Sequence, residues 1–152
     1  MSRWSQGAQE IEQLLARRHL EQVRGARADG TPWLEKARRR LETAEAIAVD
    51  DPESAFVLAY DAARFVGEAL LAQQGLRPTQ AGGHLAISDA VRAQFGGPLS
   101  GLGVLRRRRN ELEYPAFPGE HVEFEEVAAA ITSAQNLLDA GHRLIGHLAL
   151  FT

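Results

Sequence analysis

Cysteine is absent from the chain. That excludes disulfides, thiolate metal sites and cysteine nucleophiles, and it accords with a reducing, cytoplasmic setting. No apolar run approaches the roughly 20 residues needed to cross a membrane, so no membrane partner is expected. The opening residues, MSRWSQGAQEIEQ, lack the apolar core of a signal peptide. His121, His142 and His147 do not pair at helical ligand spacing with each other or with carboxylates, so no metal and no cofactor are expected. An excess of positive charge is also missing: the formal net charge is -3. Any hold on nucleic acid must therefore come from a local patch. Finally, no stretch alternates apolar and polar residues as a half-buried strand would.

What is present is helical periodicity. The 152 residues, 45% hydrophobic and 24% charged, suffice for one domain over 1–152 with its own core. A moderately amphipathic first helix is expected from Ser5 to about Val23, peripheral to the rest. Thr31-Pro32 offers a capping hydroxyl and a proline suited to a first turn. Leu34, Ala37, Leu41, Ala44 and Ala48 then repeat as a packing seam. Asp51-Pro52-Glu53 opens a third helix running to about Gln74, apolar almost all round and therefore central, with Ala59, Ala63 and Gly67 permitting close approach. His84 to Phe95 reads as a short helix with Leu85, Ile87, Ala90 and Val91 inward. Another helix carries LRRRRNELEYP, and a long one runs from about His121 to Leu150. The expected fold is all-α, an up-and-down antiparallel bundle of five to six helices.

Two arginine runs stand out. Arg38, Arg39 and Arg40 mostly point away from the seam of their helix and read as a solvated face. Arg106 to Arg109 sit where Leu102, Arg106, Arg109 and Glu113 fall in one narrow stripe at about 100° per residue. Asn110 and Tyr114 flank that stripe, and Leu105 and Leu112 face the core on its other side. The stripe is either a salt-bridged helix end, with Arg109 and Glu113 at supportive spacing, or a place where guanidinium, amide, carboxylate and phenol converge on a ligand. On the third helix Asp61, Arg64 and Glu68 form either an ion-pair ladder or a polar line facing a partner or substrate.

The segment SAFVLAYDAARFVGEALLAQQGLRP, the Gly-Gly-His loop after it and LRRRRNELEYP together resemble the HEPN superfamily of small helical domains, over roughly Asp51 to Tyr114. The resemblance implies an RNA-directed protein: a metal-independent ribonuclease of toxin or defence type, with a nucleotidyltransferase-like antitoxin as partner. The alternative it implies is a non-catalytic module binding a nucleotide or a protein. It also implies a homodimer whose two motifs meet across a shared groove. Carried over by position, the catalytic set is Arg109, Asn110 and Tyr114, with Arg106 and Arg109 binding phosphate. Asp61, Arg64, Glu113 and His84 are candidate supporting residues. Tyr114 stands where the family has histidine. A phenol with an ordinary pKa of about 10 is a poor base near neutral pH, so phosphate binding with weak cleavage is the expectation.

Overall fold

A computed structural model of the chain describes residues 6–152, so the proposed start of the first helix at Ser5 lies outside the described residues. The protein is an all-α bundle. Its helices are α1 (Ala8–Ala16), α2 (Thr31–Ile47), α3 (Pro52–Gln73), α4 (Gly83–Phe95), α5 (Gly101–Glu113) and α6 (Phe124–Ile145). Two three-residue strands, β1 (Leu20–Gln22) and β2 (Leu76–Pro78), pair antiparallel with Glu21 opposite Arg77.

The central position of α3 follows from its composition. Residues on every side of it are buried, including Phe56, Tyr60, Phe65, Val66, Leu70 and Leu71. It therefore packs against α2, α4, α5 and α6 together. Its start is set as the sequence reading expects: Asp51 accepts a hydrogen bond from the Ser54 N–H at 3.2 Å, and Pro52 occupies the first turn. Gly67 permits the close approach of α4, because a Cβ there would lie 2.7 Å from Ile87 Cγ2. The α2 seam of Leu34, Ala37, Leu41 and Ala44 is buried against α3.

Several details depart from the sequence reading. Thr31 is the first helical residue rather than the cap. The Asp29 carboxylate accepts from both its N–H (3.0 Å) and its hydroxyl (2.6 Å). The first helix stops at Ala16, because Arg18 takes the left-handed conformation (φ 60°) and closes a Schellman end: Arg18 N–H donates to Leu15 O and His19 N–H to Leu14 O. The chain then enters β1, a strand too short to show alternation. In α4, Leu85 is 51% exposed and Ala86 is buried in its place. The last helix spans Phe124–Ile145, shorter than His121 to Leu150 at both ends. Beyond it the chain turns back, and buried Phe151 docks through its N–H on Gln74 O (2.9 Å) while its carbonyl accepts from Gln22 Nε2 (2.8 Å).

The N-terminal segment is also less peripheral than expected. Ile11 and Leu14 are buried in the core, with α1 packed on α4.

Candidate functional site

Helix α5 presents its four arginines to different surroundings because Leu102, Leu105 and Leu112 fix which way it faces the core. Arg107 is exposed. Arg108 points toward α6 and the segment before it. It donates to Glu126 (2.6 Å), Glu120 (2.9 Å) and Glu111 (3.0 Å), and to the His121 carbonyl (3.2 Å). Three carboxylates on one guanidinium account for that residue structurally, and they raise its already high pKa. Arg109 pairs with Glu113, the spacing anticipated from sequence. Arg106 is half-buried, and its Nε–H is buried without an acceptor. Among the described residues it has neither an ion pair nor a hydrogen bond.

Facing this side of α5, α3 brings Tyr60, Asp61, Arg64 and Glu68. Arg64 lies 3.0 Å from Glu68 and 3.8 Å from Asp61, and Arg40 of α2 reaches Asp61 at 3.6 Å. The polar line on α3 is therefore an ion-pair ladder with a crossing from α2. The Arg64 guanidinium also sits 4.5 Å from the centre of the Phe65 ring. The Nε–H groups of Arg64 and Arg109, like that of Arg106, are buried without acceptors.

The third contribution comes from α4. His84 occupies its first turn, and His84 Nδ1 lies 3.0 Å from the hydroxyl oxygen of Tyr60, which is itself 1% exposed. The turn that delivers His84 is seated on the α1–β1 corner. Thr79 donates its hydroxyl to Arg18 O (2.6 Å) and its N–H to His19 O (3.0 Å), while Gly82 N–H donates to Thr79 Oγ1 (3.1 Å). A Cβ at Gly82 would lie 2.1 Å from His19 O, so a side chain there would displace the turn.

The electrostatics follow from this convergence. Burial pushes the Tyr60 phenol up to about 12, against the pull of Arg64, Arg109 and Arg106. His84 is held below its ordinary 6.5, first by partial burial and then by Arg64 and Arg109, with Arg106 adding and Asp61 opposing. Burial raises Glu68, with Arg64 and Lys36 pulling the other way. At neutral pH the site thus holds an un-ionised phenol, a neutral imidazole and an arginine group with one member lacking an acid.

Asp61, Arg64, His84, Arg106 and Arg109 are thus within one electrostatic neighbourhood. Glu113 joins through Arg109 and lines an adjoining open pocket of about 470 Å³ with Glu53, Ser54, Val57, Leu58, Arg109 and Leu112. Asn110 and Tyr114 stand apart from the convergence. Asn110 is exposed; Tyr114 ends α5, is 77% exposed, and its backbone N–H donates to Asn110 O (2.9 Å). Neither side chain makes a hydrogen bond among the described residues. Sequence reasoning missed Tyr60, which reads as one more core position of an apolar helix. Its only signal is its spacing four before Arg64, on the same helical face.

Among the described residues no group of three or more histidine, aspartate or glutamate side chains could hold a metal ion. No described helix is long and apolar enough to cross a membrane. Compared with known proteins, the chain matches no family model, no curated protein and no solved structure.

Proposed function

We propose that this is an RNA-directed, HEPN-like protein that grips phosphodiester through Arg106 and Arg109 of α5 together with Arg64 of α3. The observation that carries the phosphate grip is Arg106: half-buried, permanently charged and without an acid partner among the described residues. A partly desolvated cation is costly unless something neutralises it. A phosphate would do so, and guanidinium groups bind phosphate bidentately. That the phosphate belongs to RNA rests on the sequence resemblance, as do a ribonuclease toxin or defence role and a nucleotidyltransferase-like antitoxin.

The reading of a non-catalytic HEPN-like module has its own support. Val57 and Leu58 stay half-buried beside Leu112 and Arg109, and Tyr114 and Phe117 are 77% and 59% exposed. Such an apolar surface at the edge of the arginines suits a protein partner or the second copy of a homodimer.

The test is polarisation of labelled single-stranded RNA over a salt series. Arg106→Ala and Arg109→Ala should each weaken binding about tenfold, roughly the loss of one charge-assisted contact, and should flatten the salt dependence. Unchanged affinity in both variants would refute the phosphate grip.

A further inference from the structure

Glu68, the last member of the α3 ladder, lines a cavity of about 220 Å³. Helix α2 adds the half-buried Trp33, α3 adds Ala72, β2 adds Leu76 and Pro78, and the turn Gly25–Ala28 adds Arg27. The space falls below the roughly 300 Å³ at which drug-sized sites begin, and it suits one planar group. Glu68 Oε2 accepts from Arg64 at 3.0 Å, while Glu68 Oε1 has no partner among the described residues. That ion pair keeps the carboxylate charged, and it ties the cavity directly to an arginine assigned above to phosphate. Arg27 is exposed, and its guanidinium has neither an ion pair nor a hydrogen bond among the described residues.

Between Arg64 and Trp33 the surface interleaves cations with rings. The Phe65 ring centre lies 4.5 Å from the Arg64 guanidinium, 5.2 Å from that of Arg40 and 5.2 Å from Lys36 Nζ. Lys36 Nζ is also 4.9 Å from the Trp33 ring, whose centroid is 5.5 Å from that of Phe65. Phe65 is 4% exposed and serves only to seat the cations; Trp33, half-buried at the cavity, is the ring open to a ligand. Basic groups alternating with aromatic rings are what single-stranded nucleic acid requires, phosphates meeting the charges and a base meeting a ring.

We propose that this cavity captures one unpaired base of bound RNA and selects guanine, with Trp33 as the stacking surface and Glu68 as the reader. The proposal rests on the RNA-directed reading given above. An ionised carboxylate offers only acceptors. Guanine alone among the four RNA bases sets two donors side by side on its Watson–Crick edge, N1–H and the N2 amine, and Glu68 accepts from them. Uracil has one N3–H between two carbonyl oxygens, which would face the carboxylate with like charge. Adenine and cytosine each set an acceptor nitrogen beside their amine. A carboxylate oxygen shut in against an acceptor forfeits its hydrogen bond to water and gains nothing in return. Lys36 and Arg27 meet the phosphates on either side of the captured base.

The experiment uses the full chain in a Trp4→Phe background, which leaves Trp33 as the sole indole. Short uridine-rich single-stranded RNAs carry G, A, C, U or inosine at one central position. Each is titrated by polarisation and by Trp33 fluorescence. The G strand should bind roughly 30-fold tighter than the U strand, mid-range for a bidentate base contact, and should quench Trp33. Inosine keeps N1–H and lacks the amine, so its strand should bind about fivefold more weakly than the G strand. That arm needs no change at the cavity and cannot fail through misfolding. Glu68→Gln should bring the five strands within about threefold of one another. The ratio between strands is the readout, and lost stability alone would not move it. Arg106→Ala should weaken all five alike and keep the ratios. Equal affinity for the five strands, a guanine preference that survives Glu68→Gln, or binding that leaves Trp33 unquenched overturns the proposal. Quenching by GMP alone, without response to the RNAs, also overturns it and assigns the cavity to a free nucleotide. Equal affinities that all fall in Arg106→Ala overturn the base pocket and leave the phosphate grip standing. Failure to bind RNA at all overturns both.

Discussion

The two arginine runs are alike on paper and differ in the folded chain. On α2, Arg38 bonds within its own helix to Glu35 (2.6 Å) and Glu42 (2.5 Å), and Arg38 and Arg39 are exposed. On α5, only Arg109 is satisfied that way among the described residues. Arg108 is held chiefly by carboxylates from the following segment and α6, Arg109 has Glu113, and Arg106 has no acid among the described residues. A charge run on an open helix face finds partners three and four residues away and remains solvated. The same run at the rim of a core is sorted by burial, Arg108 becoming a structural hub and Arg106 staying half-buried without an acid among the described residues. Even Arg40, last of the α2 run, follows this rule. It reaches the half-buried Asp61 (3.6 Å) and lies over the Phe65 ring at 5.2 Å.

This contrast can be sharpened by substitution. The largest effect on stability is expected at Arg108. Arg108→Ala leaves Glu111, Glu120 and Glu126 without their shared cation and loosens the segment before α6. A loss of about 2 kcal/mol is expected, less than for a fully buried pair because the site is partly open. Urea unfolding measures it. Arg106→Ala should leave stability the same or slightly higher, since a half-buried cation without an acid partner is removed, while RNA affinity falls. Arg38→Ala should change neither the unfolding midpoint nor RNA binding measurably, as its pairs are open to solvent.

The smallest effect is a pair of opposite titrations. His84 is depressed by burial and the neighbouring arginines, whereas His121 is raised by its bond with the Gly119 carbonyl and by Glu123. With its folded pKa below the unfolded one, His84 contributes stability that is present above pH 6.5 and lost as pH falls through its folded value. His121 contributes stability that is present below pH 6.5 and lost as pH rises through its folded value. Ring resonances followed by NMR should titrate below 6.5 for His84 and above it for His121. Coincident curves would remove the electrostatic contrast between the two positions.

Much of this architecture is legible in the sequence. The central place of α3 follows from apolar residues on all sides, and its start from Asp51-Pro52. The stripe of Arg106, Arg109 and Glu113 follows from helical spacing, as does the ladder of Asp61, Arg64 and Glu68. The end of α1 is not legible, because Arg18 takes a left-handed role for which glycine is the usual signal. The return of Phe151 onto Gln74 is a long-range contact with no local pattern. Arg108 could not be told from its neighbours, since Glu120 and Glu126 lie beyond Pro115 and Pro118 and only the folded segment returns them. Tyr60 and His84 meet across 24 positions, one concealed among core residues and the other following a glycine pair. Periodicity shows which face a residue occupies; it does not show which faces meet.

The claim that α5 divides its arginines between structure and ligand is tested most directly by one paired measurement: RNA affinity and unfolding midpoint for Arg106→Ala beside Arg108→Ala, at a temperature where both are folded. The expected result is a crossing. Arg106→Ala loses about tenfold in affinity, near 1.4 kcal/mol, with its midpoint kept. Arg108→Ala loses stability with its affinity kept. If both variants lose affinity equally and neither loses stability, the run acts as one undivided basic patch, and the division of labour drawn from the folded chain is wrong.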